Sequence, residues 1–175
     1  ELAHRIAAIR ETLEETGLAV GLTGAIDGML AREARALLLE QGALAPVLDR
    51  FGWKIDAQAL VPFARWLPLG LAHDRIFDTR FYLADLGTGA VDVAVDETEN
   101  TRLFWTSAKG ALAMADEGEI SVIFPTRRNL ERLAQFASYE KARAHALATP
   151  VRTIIPQIDE SGPQPMLRIP EDAGY

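Results

Sequence analysis

Four aliphatic residues near the start of the chain, Leu2, Ile6, Ile9 and Leu13, fall four, three and four positions apart. That spacing makes one apolar stripe on an α-helix and nothing regular on a strand. Gly17 stands one turn beyond the last of them and is the residue best suited to stop such a helix. Away from the stripe, Glu11, Glu14 and Glu15 share one broad face, because residues three and four apart are neighbours on a helix surface. Three carboxylates so close repel one another. A hard divalent cation, Mg²⁺ or Mn²⁺, prefers oxygen ligands and would relieve that repulsion while keeping several waters. Arg10, four residues before Glu14, is within reach to orient its carboxylate. By charge pattern alone, a solvated acidic helix face is the simpler explanation.

Composition narrows the choices. At 175 residues with 49% hydrophobic side chains, the chain suits one globular domain with a real core. A net charge of −7 argues against a nucleic-acid surface, which needs clustered Lys and Arg. A small anionic substrate remains compatible, since a bound cation reverses the local field. There is no cysteine, which excludes disulfides, thiolate metal sites and a Cys nucleophile. No apolar run reaches the length of a membrane span and the first residues do not form a signal peptide, so a soluble cytoplasmic protein is expected. The sequence starts at Glu1 without Met, already inside a helical pattern, so further residues are expected ahead of it.

Further helices are expected over 29–40 and 44–51, and residues 25–58 read as a helical insertion. From Leu60 the texture becomes β-branched and aromatic, giving strands at 60–66 and 77–84 and shorter ones at 90–95 and 102–106. Helices follow at 108–115 with Ser107 as cap, from Pro125 through Phe136, and at 139–148. The tail, 151–158 and 166–169, is strand-like with Pro-rich breaks. In the 77–82 segment, alternation places Asp78, Arg80 and Tyr82 on one face, as a substrate-cleft lining or an internal ion pair. Phe63, Trp66, Phe104 and Trp105 read as core, with adenine stacking the alternative for one or two of them. Arg127 and Arg128 at a helix start read as surface or as a phosphate grip.

Residues 10–18, Arg-Glu-Thr-Leu-Glu-Glu-Thr-Gly-Leu, resemble the second half of the Nudix box, matching at Arg10, Glu11, Glu14, Glu15, Gly17 and Leu18. Thr12 replaces an aliphatic residue, and the first half of the box would lie before Glu1. Later segments occur in the order seen in the acyl-coenzyme A diphosphatase branch of that superfamily: Leu60-Val-Pro-Phe-Ala-Arg-Trp66, Phe77-Asp-Thr-Arg-Phe-Tyr82, Glu99 six residues before Trp105, and Phe124-Pro-Thr126. The ending Pro170-Glu-Asp-Ala-Gly-Tyr175 is similar too.

The resemblance implies an α/β/α sandwich around a mixed β-sheet, with a helical insertion after the catalytic helix. Residues 1–175 would be a single Nudix domain without its N-terminal strands and Gly-rich loop. It implies a metal-dependent diphosphatase in which Glu11, Glu14 and Glu15 hold Mg²⁺ or Mn²⁺ and one of them serves as base. Glu99 would be a further ligand or base, with Glu97 competing for that place. Arg10 would orient the set, and Asp78 and Arg80 would touch the substrate. Coenzyme A or acyl-coenzyme A is the favoured substrate. ADP-ribose, dinucleotides and a non-catalytic nucleotide sensor are the alternatives. The partner is a small nucleotide, with no nucleic acid and no membrane, and a homodimer is compatible with the sequence.

Overall fold

The structure is a computed structural model and describes residues 1–71, 75–87 and 104–175. The strand expected at 90–95 and the acidic pair Glu97 and Glu99 lie outside those residues. The chain divides into two compact units, Glu1–Leu60 with Ala84–Trp105, and Val61–Leu83 with Thr106–Tyr175. The described residues form an α/β protein with six α-helices and a mixed sheet.

The first unit opens with α1 (Leu2–Thr16), and its stripe is buried as the spacing demands. Ile9 and Leu13 are completely buried and Ile6 half-buried, while Leu2 at the open end is exposed. Each buried aliphatic side chain contributes roughly 1.5–3 kcal/mol, so this stripe anchors the helix. Gly17 ends it at φ +73°, donating its N–H to the Leu13 carbonyl at 3.0 Å. α2 (Gly28–Gln41) begins at Asp27, whose carboxylate accepts from the N–H groups of Met29 and Leu30 at 2.9 and 2.8 Å. α3 (Leu44–Phe51) follows, with Leu44 and Val47 buried.

Two short strands bracket this helical pair, β1 (Leu22–Thr23) and β2 (Lys54–Ile55), which are antiparallel with Leu22 opposite Ile55. Gly21 leads into β1 at φ +65°, where an added Cβ would meet Leu60 Cδ1 at 2.7 Å and Ile9 Cδ1 at 2.8 Å. Only a residue without a side chain lets the backbone pass so close to those two. Within this unit α1 lies against α2 and a 3₁₀ turn at Ala57–Ala59.

The second unit is built on β3 (Val61–Trp66), the centre of a three-stranded sheet. β4 (Thr79–Leu83) pairs with one edge of β3 in antiparallel fashion. β5 (Thr153–Ile154) pairs with the other edge in parallel, at Arg65 and Trp66. Val61, Phe63, Ala64 and Trp66 are all buried, so both faces of β3 are covered. Pro62, which has no N–H to donate, sits where the β3–β4 register shifts between residues 62 and 64.

Three helices follow in this unit. α4 (Ala108–Asp116) is capped by Ser107, whose hydroxyl accepts from Gly110 N–H at 3.0 Å. α5 (Phe124–Leu133) has Pro125 in its first turn, where a missing N–H is harmless. α6 (Tyr139–Ala148) buries Ala142 and Ala146. The tail forms the antiparallel ribbon β6 (Gln157–Asp159) with β7 (Met166–Arg168).

Two expectations fail among the described residues 104–106, the strand and the core placement of Phe104 and Trp105. Residues 104–106 form no strand, and Trp105, expected in the core, is 64% exposed. Phe104 is exposed as well, whereas Phe63 and Trp66 are core as expected. Without strand pairing, nothing forces alternate side chains of 104–106 inward.

Candidate active site

The last turn of α1, which carries Glu14 and Glu15, is held by α2. Arg35 of α2 donates Nε–H to the Glu14 carbonyl at 2.7 Å and Nη2–H to the Glu15 carbonyl at 3.4 Å. A guanidinium at this point satisfies orphan carbonyls and complements the negative end of the helix dipole. It also ties the carboxylate-bearing turn to the insertion. Thr12, the departure from the aliphatic position, donates its hydroxyl to the Ala8 carbonyl at 2.7 Å, so its polar group is satisfied inside its own helix. Thr16 does the same to the Thr12 carbonyl at 2.6 Å.

Arg10 bridges two of the three carboxylates. Its Nη2 meets Glu11 Oε1 at 3.1 Å and its Nη1 meets Glu14 Oε2 at closer range. These side chains stay in contact with water, with 34% of Arg10, 57% of Glu11 and 32% of Glu14 exposed. Glu15 is half-buried on the adjoining turn. Three hard oxygen donors on one helix have the right chemistry for Mg²⁺ or Mn²⁺. Their placement is less complete: among the described residues no three acidic or histidine side chains converge as a cation site. Glu11 and Glu14 spend their charge on Arg10 instead.

Asp78 and Arg80 belong to the second unit and are joined to a residue that sequence reading did not single out. Arg65 forks onto Asp78, Nε to Oδ1 at 2.8 Å and Nη2 to Oδ2 at 2.7 Å. Arg80 Nη1 lies 3.3 Å from the same Oδ2. The cause is in the register: Arg65 on β3 stands directly opposite Arg80 on β4, and like charges so placed repel. Asp78 sits between them, and its single negative charge offsets part of that repulsion. A substrate contact by Asp78 or Arg80 would have to compete with this bidentate pair. Arg127 and Arg128 are similarly committed, Arg127 to Asp116 at 2.7 Å and Glu131 at 3.2 Å, and Arg128 to Glu131. The Asp116 hydrogen bond and charge hold Arg127 more firmly protonated than an ordinary arginine.

Arg132 also went unmarked in the sequence. It is only 3% exposed, donates Nη1–H to the Phe63 carbonyl at 2.8 Å and stacks on the Phe63 ring 4.1 Å from its centre. Tyr175 covers it from another side, with its ring centre at 5.4 Å. The Tyr175 hydroxyl accepts from Trp66 Nε1 at 3.0 Å and donates to Asn129 Oδ1. Burial lowers the Arg132 pKa and raises that of Tyr175. This network ties Tyr175 to the sheet through an indole, an amide and an aromatic-stacked guanidinium.

Comparison with known proteins gives one informative match. Over 159 aligned residues the chain is 30% identical to the acyl-coenzyme A diphosphatase NUDT19 of Gallus gallus, an alignment covering 79% of this chain. The chain spans 42% of that relative, less than half its length. No family model matches the chain and no solved structure matches it. No helix among the described residues is long and apolar enough to cross a membrane. The similarity points at most to the Nudix family for the segment it covers.

Proposed function

We propose that the chain carries the metal-binding helix of a Nudix hydrolase that cleaves the diphosphate linkage of a nucleoside diphosphate derivative, with coenzyme A or an acyl-coenzyme A as substrate. The observation that carries this reading is the acidic turn of α1, where Arg10, Glu11, Glu14 and Glu15 are presented together on a helix anchored by its opposite face. Its support from outside the chain is the similarity to an acyl-coenzyme A diphosphatase.

In this reading Glu11, Glu14 and Glu15 hold Mg²⁺ or Mn²⁺, and Arg10 orients Glu11 and Glu14 until the cation takes its place. Glu99, outside the described residues, adds a ligand or a base. A bound divalent ion would offset the charge of the diphosphate oxygens. Arg35 would act as a positioning residue, holding the Glu14 and Glu15 backbone in place through their carbonyls.

The test is hydrolysis of coenzyme A, an acyl-coenzyme A, ADP-ribose, NADH and a diadenosine compound with Mg²⁺ or Mn²⁺. Metal-dependent cleavage of the coenzyme A compounds, lost in Glu14→Gln and Glu15→Gln variants that keep their fold, is the expected result. Preferential cleavage of ADP-ribose or the dinucleotides would overturn the substrate. Binding without cleavage of any of them would favour a sensor.

A further inference from the structure

The second unit contains a cleft of about 390 Å³ that the proposed hydrolysis does not use. Its size falls within the range of small-molecule sites, about 300–1,000 Å³. The floor is rigid. Trp66 is completely buried and packs edge-on against Phe124, with ring centres 5.9 Å apart. The rim is apolar and wet: Phe77 is 64% exposed, and Leu167 is exposed beside it. Single exposed apolar residues are ordinary, but these converge on one concave place, which is how binding clefts differ from scattered surface. Leu71 closes another wall, and Arg75, itself exposed, is the one charged side chain among the described lining residues. No carboxylate lines the cleft among those residues.

We propose that this cleft binds an alkyl chain bearing an anionic head group, with the chain against Trp66, Phe77, Phe124 and Leu167 and the head on Arg75. Hydrocarbon is what such walls favour, since their burial and that of the ligand are both driven by loss of water contact. A guanidinium with no acid beside it among the described lining residues selects a carboxylate or phosphate by charge-assisted hydrogen bonds. The inference stands on the cleft alone and is independent of the diphosphatase reading.

Calorimetric titration with hexanoate, octanoate and decanoate tests it, all below the concentration at which they aggregate. Affinity should rise about fourfold per added methylene, the equivalent of ~0.8 kcal/mol for each CH₂ buried. Decyl phosphate distinguishes a phosphate head from a carboxylate, and decanol and decylammonium control for charge. Arg75→Glu should weaken decanoate at least tenfold while leaving decanol unchanged, and Phe77→Asp should weaken both. Both sites are exposed, so the folded state should survive either change. Equal affinity for decanoate, decanol and decylammonium would overturn the proposal. So would binding that both variants leave intact, or no binding at all.

Discussion

Arg10 and Arg132 show two opposite uses of the same side chain. Arg10 lies at the surface of the first unit between two carboxylates, with water reaching all three groups. Arg132 lies in the core of the second unit, with aromatic rings and a carbonyl in place of an acid. Exposed ion pairs contribute little to stability, typically 0–1 kcal/mol, and are easily exchanged for other partners. A buried cation is costly to place and must be held by everything around it. The acidic turn of α1 is thus free to trade Arg10 for another cation, whereas Arg132 is fixed in a structural role.

The comparison breaks most readily at its buried end. Arg132→Ala removes a desolvated cation–π contact, roughly 2 kcal/mol, and a buried hydrogen bond of about 1 kcal/mol, so a loss near 3 kcal/mol is expected in urea unfolding. A change below about 0.5 kcal/mol, the ordinary surface value, would place Arg132 with Arg10 after all. Gly17→Ala comes next. Its φ of +73° should cost roughly 1–2 kcal/mol and loosen the end of α1, which thermal melting would register.

Arg35→Ala should cost about 1 kcal/mol or less, the scale of a cation at a helix C-terminus, and should weaken activity by displacing the Glu14 and Glu15 backbone. Arg10→Gln sharpens the contrast, since its stability change should stay under about 0.5 kcal/mol. A large loss of stability in Arg10→Gln would mean that the acidic turn cannot release its arginine.

A pH series probes Tyr175. Burial raises its pKa above the ordinary 10.0, so its neutral form is the one the fold prefers. The associated stability is complete below the unfolded-state value and declines as pH rises through the folded-state value. Melting temperature should therefore fall in strong alkali, and Tyr175→Phe should flatten that fall relative to the parent chain. An equally steep decline in the variant would assign it to another group.

How much of this was legible in the sequence depends on the range of the interactions involved. α1 and α3 could be read closely because their apolar spacing and their stops, Gly17 and Gly52, lie within a turn of the helix ends. The three carboxylates could be read for the same reason, being neighbours on one helix. The sheet partners of β3 could not, because β5 is two residues long and returns from more than eighty residues away. Arg65 escaped notice because only the β3–β4 register sets it against Arg80. Arg132 sits in a helix as polar as any surface helix, and its burial depends on Phe63 and Tyr175, both distant in the chain. Arg35 did leave a signal: it falls between Ala31, Ala34 and Leu38, the buried residues of α2, where a cation needs a partner.

The central claim is that the acidic face of α1 holds a divalent cation. Titration of Mn²⁺ into the chain, followed by its effect on water-proton relaxation, measures this without any substrate. Binding by the parent chain, lost in a Glu14→Gln, Glu15→Gln double variant whose melting temperature is unchanged, is the predicted result. Equal Mn²⁺ affinity in the two proteins would contradict it.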